Sequence, residues 1–328
     1  MSNDPESGTP EQPYLPVGCA VGIDVGGTKI AGAVVEYPAL RLHAKRVIPT
    51  APERGGKAVL ADALAMAKEL VAEAKATKRS FAGIGVAVAE LVDFHGGFLS
   101  GNLIDWRGRF ALQAFARLAS VVIEADSRAA ALAEAMYGAG RPFRNFYYVT
   151  IGTGIGSCLL IDGEPYAGAH CSAGTLASSP MPMLCAHCGA KSELTLEQFA
   201  SGPALVARYN RETAKACTTA EEVLAAAQAG DLKAVEVVGS GAEALGATLG
   251  LMVNVLDPGA VIVGGGLGSA TGLYWERLVA STRQRIWAET NRGLPILQAA
   301  FGSDTGIIGA ATALGQRVGL CPPVWRMR

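Results

Sequence analysis

An acidic residue followed by paired glycines is the first feature of this sequence that could support chemistry. Residues 24–29 read Asp-Val-Gly-Gly-Thr-Lys. The glycines let backbone N–H groups approach a phosphate, and the Thr28 hydroxyl and the Lys29 ammonium add donors. Asp24 could hold Mg²⁺ through water, because Mg²⁺ keeps several waters and takes few carboxylates. The segment is either a phosphate-binding turn or a plain hairpin turn, and its spacing is not that of a Walker A loop.

Two further glycine-rich segments stand at the ends of apolar runs. Residues 152–156 read Gly-Thr-Gly-Ile-Gly between two predicted strands, whereas a helix would follow a Rossmann fingerprint. Residues 264–266 are three glycines after the apolar run 260–263, at a strand end where ligands lie in open α/β sheets. Each segment alone also fits an ordinary turn. Together, the turns of 24–29 and 152–156 indicate a nucleotide whose phosphates lie across a cleft.

Asp126 stands between a strand predicted over 119–124 and a helix predicted over 127–137. An aspartate in this position commonly caps the helix, since its carboxylate accepts hydrogen bonds from the first free N–H groups. It could equally be a general base that takes the proton of a hydroxyl attacking a phosphate. Local context alone favours the cap.

The elements that would position these residues form two similar halves. Residues 17–25 and 30–35 predict a β-hairpin around the first glycine turn, and residues 145–151 begin a second hairpin around 152–156. An Asp-Gly pair at 162–163 predicts a further hairpin turn. Other predicted strands cover 81–88 and 260–263, and predicted helices cover 58–76, 220–229, 232–255 and 305–318. A glycine-turn hairpin opening each half indicates a duplicated α/β unit with a cleft between two lobes.

The composition limits the class of protein. The chain has 328 residues, 50% of them hydrophobic, and a formal net charge of -1 without basic blocks, which disfavours nucleic acid and anionic membranes as partners. The longest apolar runs are shorter than the roughly 20 residues that a membrane span needs. Residues 1–16 are expected to be a disordered tail rather than a signal peptide. Scattered cysteines favour reduced thiols and a cytoplasmic location.

These strings resemble the ROK family of bacterial sugar kinases, within the actin/hexokinase/Hsp70-like ATPase superfamily. The resemblance spans residues 18–318, nearly the whole chain. Its motifs follow in order along the sequence, at 23–29, 83–86, 102–108, 126–134, 152–156, 168–170, 200–202, 257–258, 264–266 and 306–311. Such a collinear series is highly specific.

The resemblance implies the two-lobed actin-like ATPase fold, which is duplicated and ribonuclease H-like, closing on ATP, Mg²⁺ and a sugar. The expected lobes are residues 17–126 with 308–328, and residues 127–307. Asp126 becomes the expected catalytic base, and a homodimer is expected. The residues expected to contact the nucleotide and its metal are Asp24, Gly26, Gly27, Thr28, Lys29, Gly152, Thr153, Gly154, Gly264, Gly265 and Gly266.

Departures from the family pattern concern the sugar. The family usually has Asn immediately before the catalytic Asp, where this chain has Ala125, and a Glu-x-Gly-His string where this chain has residues 175–178. Glu90 replaces a small residue and could pair with a substrate ammonium group or be a solvated loop carboxylate. A site that loses its hydroxyl-binding groups changes substrate preference. The expected substrate contacts are Glu90, Asn102, Asp126, Thr175 and Ser178.

Zinc is a third departure. The family's structural site uses His with a longer cysteine-rich run, and this chain offers Cys185, His187 and Cys188, with His170 upstream. These could still form a four-coordinate site. Thr195 stands about where the last family cysteine would fall, so loop residues without metal are favoured.

The resulting hypothesis is an ATP-dependent kinase for the primary (6-) hydroxyl of a modified hexose. Relatives in antibiotic-producing bacteria include kinases for kanosamine, an amino sugar altered at C3, and for carbasugar cyclitols. Ala125 and Glu90 favour the amino sugar, whereas loss of the Glu-x-Gly-His string equally suits a C7-cyclitol. Glucokinase is a further alternative. Outside enzymes, the alternative is a non-catalytic sugar sensor, but 16 residues before the first strand are too few for a helix-turn-helix.

Overall fold

A computed structural model describes residues 17–184 and 191–321. Within these ranges no helix combines the length and the apolar character that crossing a membrane requires. The predicted tail, residues 1–16, lies outside the described residues.

The first half is built on a five-stranded sheet. It has the order β3-β2-β1-β4-β5, in which β1 pairs antiparallel with β2 and parallel with β4. Its strands are β1 (Gly18–Val25), β2 (Lys29–Tyr37), β3 (Arg41–Pro49), β4 (Ser80–Val88) and β5 (Val121–Ala125). Every residue of β1 except Asp24 is buried, so the carboxylate ends an otherwise apolar strand. A buried parallel strand of this kind needs helices on both faces.

The second half repeats this arrangement. Its sheet has the order β12-β11-β6-β7-β8, with an antiparallel hairpin β6-β7 and parallel pairs β6-β11 and β11-β12. The strands are β6 (Phe146–Ile151), β7 (Ile155–Ile161), β8 (Glu164–Pro165), β11 (Val261–Gly264) and β12 (Ile296–Gln298). A separate two-stranded sheet joins β9 (Pro180–Leu184) to β10 (Lys191–Thr195). In each half a three-stranded antiparallel unit continues into two parallel strands, which confirms the predicted duplication.

Helices cover the faces of the two sheets. They are α1 (Gly56–Ala76), α2 (Phe110–Ala116), α3 (Asp126–Tyr137), α4 (Leu196–Ala200), α5 (Gly202–Thr213), α6 (Ala220–Gln228), α7 (Leu232–Leu256), α8 (Gly265–Gly268), α9 (Leu273–Arg285) and α10 (Thr305–Arg317). Single 3₁₀ turns lie at Pro52–Arg54, Leu176–Ser178, Glu289–Asn291 and Gly302–Asp304. Helix α1 packs on the first sheet, and α4 to α7 and α9 bury their apolar faces over the second.

The last helix returns to the first half of the chain. α10 packs against β1, β4 and α3. A side chain at Gly22 would collide with the carbonyl of Ile307, and one at Gly85 with the carbonyl of Ala310. The two glycines therefore let α10 lie directly on the first sheet. Residues of both halves and of α10 share one apolar core, which ties the sheets together.

The long apolar elements agree with the sequence predictions to within a few residues, and the Asp162-Gly163 turn has positive φ at both positions, as a tight hairpin requires. The sequence analysis did not predict β3, in which buried positions are absent along the strand. It also did not predict α5, α9 or β12. Their apolar residues are too few or too mixed with charge to give a clear periodic pattern.

Candidate active site

Three carboxylates meet at one edge of the first sheet. In the parallel strands, Val25 is in register with Val88 and Val88 with Ala125, so the carboxyl ends of β1, β4 and β5 lie side by side. Asp24 is the penultimate residue of β1, Glu90 follows β4 by two residues, and Asp126 follows β5 directly. The strand register therefore brings together acidic residues that are far apart in sequence. Ligands bind at this edge in open α/β sheets.

Asp126 is the first residue of α3, and its Oδ1 accepts a hydrogen bond of 2.6 Å from the backbone N–H of Ser127. The expectation that Asp126 caps the helix is wrong, because Ala125 holds the N-cap position and no side chain caps α3 there. Asp126 is already helical, so its carboxylate reaches the N–H of the next residue rather than those further along the first turn. Burial raises its pKa to about 6 and Glu90 adds to the rise, against the opposing effects of the Ser127 N–H and the Arg128 guanidinium. A carboxylate with this pKa is ionised at neutral pH and accepts a proton more readily than an ordinary aspartate.

Asp24 lies against the start of α10. A side chain at Gly306 would overlap the Asp24 carboxylate, so this glycine makes room for it at the helix N-terminus. Burial raises the pKa of Asp24 to about 7, the charge of Asp126 raises it further, and Lys29 lowers it. Two neighbouring carboxylates therefore oppose each other's ionisation. A divalent cation would relieve this repulsion.

The two predicted glycine turns face each other. The Thr28 and Thr153 hydroxyls, 125 residues apart in sequence, are 2.9 Å apart. Thr50 secures the first turn, because its N–H donates to Thr28 O and its hydroxyl donates to Gly26 O. In the second turn the N–H of Gly152 donates to Gly154 O. The structure therefore brings the two turns into contact through their threonines.

An unusual backbone conformation does not explain the glycines of these turns, and a close neighbour explains only Gly154. Neither Gly26, Gly27, Gly152 nor Gly154 has a left-handed φ, which corrects the expectation of a two-residue hairpin turn that needs glycine's conformational freedom. A Cβ on Gly154 would lie 2.7 Å from the Glu197 carboxylate. The missing side chains leave room for neighbouring groups, and on the open side for a phosphate.

The third glycine segment lies beside the second. Gly264 ends β11 and pairs with Thr150 of β6, so both strands finish at the same edge. Gly265 has a φ of 82°, and any side chain there would strike the backbone of Ile151. Gly266 is exposed in the first turn of α8. The second sheet thus presents two adjacent backbone turns at one edge.

Glu90 has a different environment from either sequence prediction. It is 6% exposed, so it is not a solvated loop carboxylate. It accepts hydrogen bonds from the Ser100 hydroxyl and from the backbone N–H groups of residues 102, 103 and 104. A carboxylate has about four acceptor positions, and four donors already use them. A direct pair with a substrate ammonium group is therefore not available in this arrangement.

The remaining predicted substrate contacts lie in two places. Asn102 is exposed in the loop that Glu90 binds, and Ala125 is buried at the end of β5. Thr175 and Ser178 are exposed on a 3₁₀ turn, where the Ser178 hydroxyl donates to Thr175 O. The preceding Gly174 contacts Ser157 of β7, which places this turn beside the second glycine turn.

The predicted zinc ligands Cys185, His187 and Cys188 lie outside the described residues. Over 17–184 and 191–321, no group of three or more His, Cys, Asp or Glu side chains is arranged to hold a metal ion.

The sequence analysis missed two charged residues near the site. The Glu197 carboxylate accepts the N–H of Ile155 at 2.8 Å and so fixes the second glycine turn. Arg128 is buried, and its guanidinium binds Glu124, Val92 O and Cys171 O, which joins the two halves beneath Asp126. Arg128 lies within the motif at 126–134 and Glu197 precedes the motif at 200–202 by three residues, but the roles of both depend on tertiary contacts.

The arrangement suits the transfer of a phosphoryl group. N–H groups and hydroxyls of the glycine turns can bind phosphate oxygens, and the Asp24 carboxylate can bind a cation. Asp126 can remove a proton from an incoming hydroxyl. Phosphoryl transfer depends mainly on such positioning and charge stabilisation.

Comparisons with known proteins agree with this chemistry. The family model described as "ROK family" matches residues 20–317. A glucokinase from Streptomyces coelicolor is 31% identical over 323 residues, covering 90% of this chain and 97% of that protein. An N-acetylmannosamine kinase from Yersinia pseudotuberculosis is 32% identical over 307 residues, covering 90% and 98%. The crystal structure of a ROK family glucokinase from Streptomyces griseus with glucose and AMPPNP is 28% identical, has a TM-score of 0.77, and covers 90% and 99%.

Proposed function

The chain belongs to the ROK family, and from this premise we propose that it is an ATP-dependent sugar kinase with Asp126 as general base. The observation that carries the proposal is the meeting of Asp24 and Asp126 at one sheet edge, beside the first glycine turn. The Thr28 hydroxyl of that turn contacts Thr153 of the second turn. The relatives named glucokinase and N-acetylmannosamine kinase support the same reaction class.

The proposed mechanism assigns a task to each group. Asp126 takes the proton of the attacking sugar hydroxyl, and the backbone N–H groups of both turns, with Lys29, bind the phosphates of ATP. Asp24, a partly buried carboxylate whose charge Lys29 balances only in part, fits a divalent cation and would hold Mg²⁺. When bound, Mg²⁺ neutralises phosphate charge. Closure of the two halves excludes water that would otherwise be the acceptor.

The proposed acceptor is the 6-hydroxyl of a hexose altered on its ring, such as the amino sugar kanosamine. Ala125 supports this choice, since a buried methyl group stands where the family usually has a hydroxyl-binding Asn. Glu90 no longer supports it through direct pairing. Its negative charge still acts on Asp126, and the resulting field favours a cationic substrate. A C7-cyclitol remains the alternative that loss of the Glu-x-Gly-His string suits, and either substrate would fit antibiotic biosynthesis.

Glucokinase is the second candidate, favoured by the 31% identity to the Streptomyces coelicolor enzyme over nearly its full length. A coupled ADP-release assay over glucose, glucosamine, N-acetylmannosamine, kanosamine and a C7-cyclitol separates the candidates. We expect kcat/KM for the altered rings to exceed that for glucose at least tenfold. Equal turnover of glucose and every analogue would contradict the role of Ala125. No ADP release with any of them would favour the non-catalytic sensor.

Restoring the family residue sharpens this test. Ala125→Asn should raise kcat/KM for glucose about tenfold, because a hydrogen bond to a ring hydroxyl typically contributes on the order of 1 kcal/mol. Ser127→Ala, next to the base on the other side, serves as the control for local disturbance. Unchanged glucose use in a folded Ala125→Asn protein would show that the sugar is read elsewhere.

The proposal also covers the lobes, the assembly, the location and the partners of the protein. The two lobes comprise residues 17–126 with 308–328, and residues 127–307, which the packing of α10 on the first sheet supports. A homodimer in the cytoplasm is expected, and light scattering would test the assembly. ATP and a sugar are the proposed partners, without nucleic acid or membrane.

A further inference from the structure

The loop between β4 and α2 is fixed to the rest of the protein at both of its ends. Its far end is fixed in the apolar core by Ile104 and Trp106, which are 1% and 0% exposed, and the Trp106 indole N–H donates to Gly56 O at 2.6 Å. Between these anchors and β4, Asn102 and Leu103 are exposed. A Cβ on Gly27 would lie 3.5 Å from Leu103, so this side chain covers the first glycine turn.

At the near end of the loop the N–H of Leu99 donates to Leu91 O at 2.8 Å, and beyond this bond one carboxylate binds residues 100–104. Glu90 Oε1 accepts the N–H groups of Leu103 at 2.6 Å and Ile104 at 2.8 Å. Oε2 accepts the N–H of Asn102 at 3.1 Å and the hydroxyl of Ser100. The Ser100 oxygen in turn accepts the N–H of Leu91 at 2.8 Å. Three successive backbone N–H groups form a concavity of the kind that binds anions, and here the chain's own side chain fills it.

We propose that Glu90 is a positioning residue for the sugar, fastening residues 100–104 to the end of β4 so that Asn102 and Leu103 stay in place beside the base and the first glycine turn. The kinetic part of this inference rests on the proposed kinase function. A small residue at position 90 would leave the three N–H groups without this partner, so the contact depends on the glutamate that this chain has there.

We expect the Michaelis constants for sugar and for ATP to respond differently, because different bonds hold the loop and the first glycine turn. The first glycine turn keeps its shape through Thr50, which bonds to it independently of the loop. Loss of the Glu90 carboxylate should therefore disturb the sugar side and leave the nucleotide side in place. A purely structural residue would instead lower stability without separating the two Michaelis constants.

The test is Glu90→Gln, which keeps the size of the side chain but places an NH₂ group against donors. Amide hydrogen exchange at residues 102–104 should accelerate at least tenfold while exchange in β4 and α1 stays unchanged. With the preferred sugar, KM for the sugar should rise at least fivefold and KM for ATP less than twofold. If Glu90→Gln does not fold, Ser100→Ala removes one donor and should give the same pattern at smaller amplitude.

Glu134→Gln is the matched control. Glu134 is also a buried carboxylate that accepts backbone N–H groups, those of Ala139 and Ala300, but it lies away from this loop. It should leave exchange at 102–104 unchanged. Unaltered exchange in Glu90→Gln, or faster exchange with an unaltered KM for sugar, would overturn the inference. If the wild-type protein phosphorylates no sugar, the proposed function fails, while the exchange measurement still decides whether Glu90 fastens the loop.

Discussion

The carboxyl edges of the two five-stranded sheets differ in chemistry although the sheets share one strand order. The first edge carries Asp24, Glu90 and Asp126, whereas the second carries the backbone turns 152–154 and 264–266. Repetition of the fold thus gives two similar edges, and the residues that follow each strand make them chemically different. In the proposed function the turns of both edges bind phosphates, and only the first edge also handles the proton and the cation. Five experiments test this difference.

The largest expected effect is at the first edge. Asp126→Asn should lower kcat by roughly a thousandfold, because general-base catalysis typically contributes 10²–10⁴-fold. KM for ATP should change less than twofold, since the phosphate-binding turns are untouched. A coupled ADP-release assay measures both, with Asp162→Asn in an exposed hairpin turn as the control. Wild-type turnover in Asp126→Asn would end the assignment of the base.

The second edge should respond in the opposite way. Gly265→Ala should raise KM for ATP about tenfold, because its φ of 82° and the backbone of Ile151 leave no room for a methyl group. Gly266→Ala is the matched control, as a Cβ there meets only Glu221 at 3.9 Å. Equal ATP affinity in both variants would remove the third glycine segment from the nucleotide site.

Contact between the edges should have a smaller effect. Thr28→Val and Thr153→Val each remove one hydroxyl of the pair that is 2.9 Å apart. If both hydroxyls act together in the closed form, each change should raise KM for ATP about threefold, and the double variant should be no worse than about fivefold. A double-mutant cycle of kcat/KM for ATP gives the coupling. Fully additive effects would show that the turns bind phosphates independently.

The smallest effects come from pH. With a pKa of about 6 for Asp126, kcat/KM should fall as pH drops below 6, because the protonated base cannot accept a second proton. A pH–rate profile of the wild-type enzyme checks this, and a limb near pH 4 would argue against the buried base.

The free energy of unfolding should decrease as the pH rises, whereas kcat/KM should increase. Folding raises the pKa of Asp24 from 3.8 to about 7, so the native state binds more protons and loses stability as pH rises through that window. Asp24→Asn should therefore increase the free energy of unfolding by at most about 4 kcal/mol at pH 8, since one pKa unit corresponds to about 1.4 kcal/mol, and by nothing at pH 3. Thermal melts at both pH values test this, and a lower Tm of the variant at pH 8 would contradict it.

The sequence was most informative where apolar runs end in glycine or aspartate. It predicted the hairpins, the long helices and the motifs at Asp24, Asp126 and the glycine turns, because backbone turns and buried strands restrict residue type locally. It did not predict Glu197 or Arg128, since their partners are the main-chain atoms of segments distant in sequence. For Glu90, residue type suggested a substrate contact, and only the fold supplies four donors to its carboxylate.

What the sequence determined by itself was the class of the protein, through a collinear series of motifs and the period of its apolar residues. The tertiary structure decided which groups face each other. Parallel register sets three strand ends side by side. Burial, with repulsion from a neighbouring carboxylate, raises the pKa of Asp24 and of Asp126 toward neutral pH. Desolvation and charge interaction depend on distances in space, which no local pattern of residues specifies.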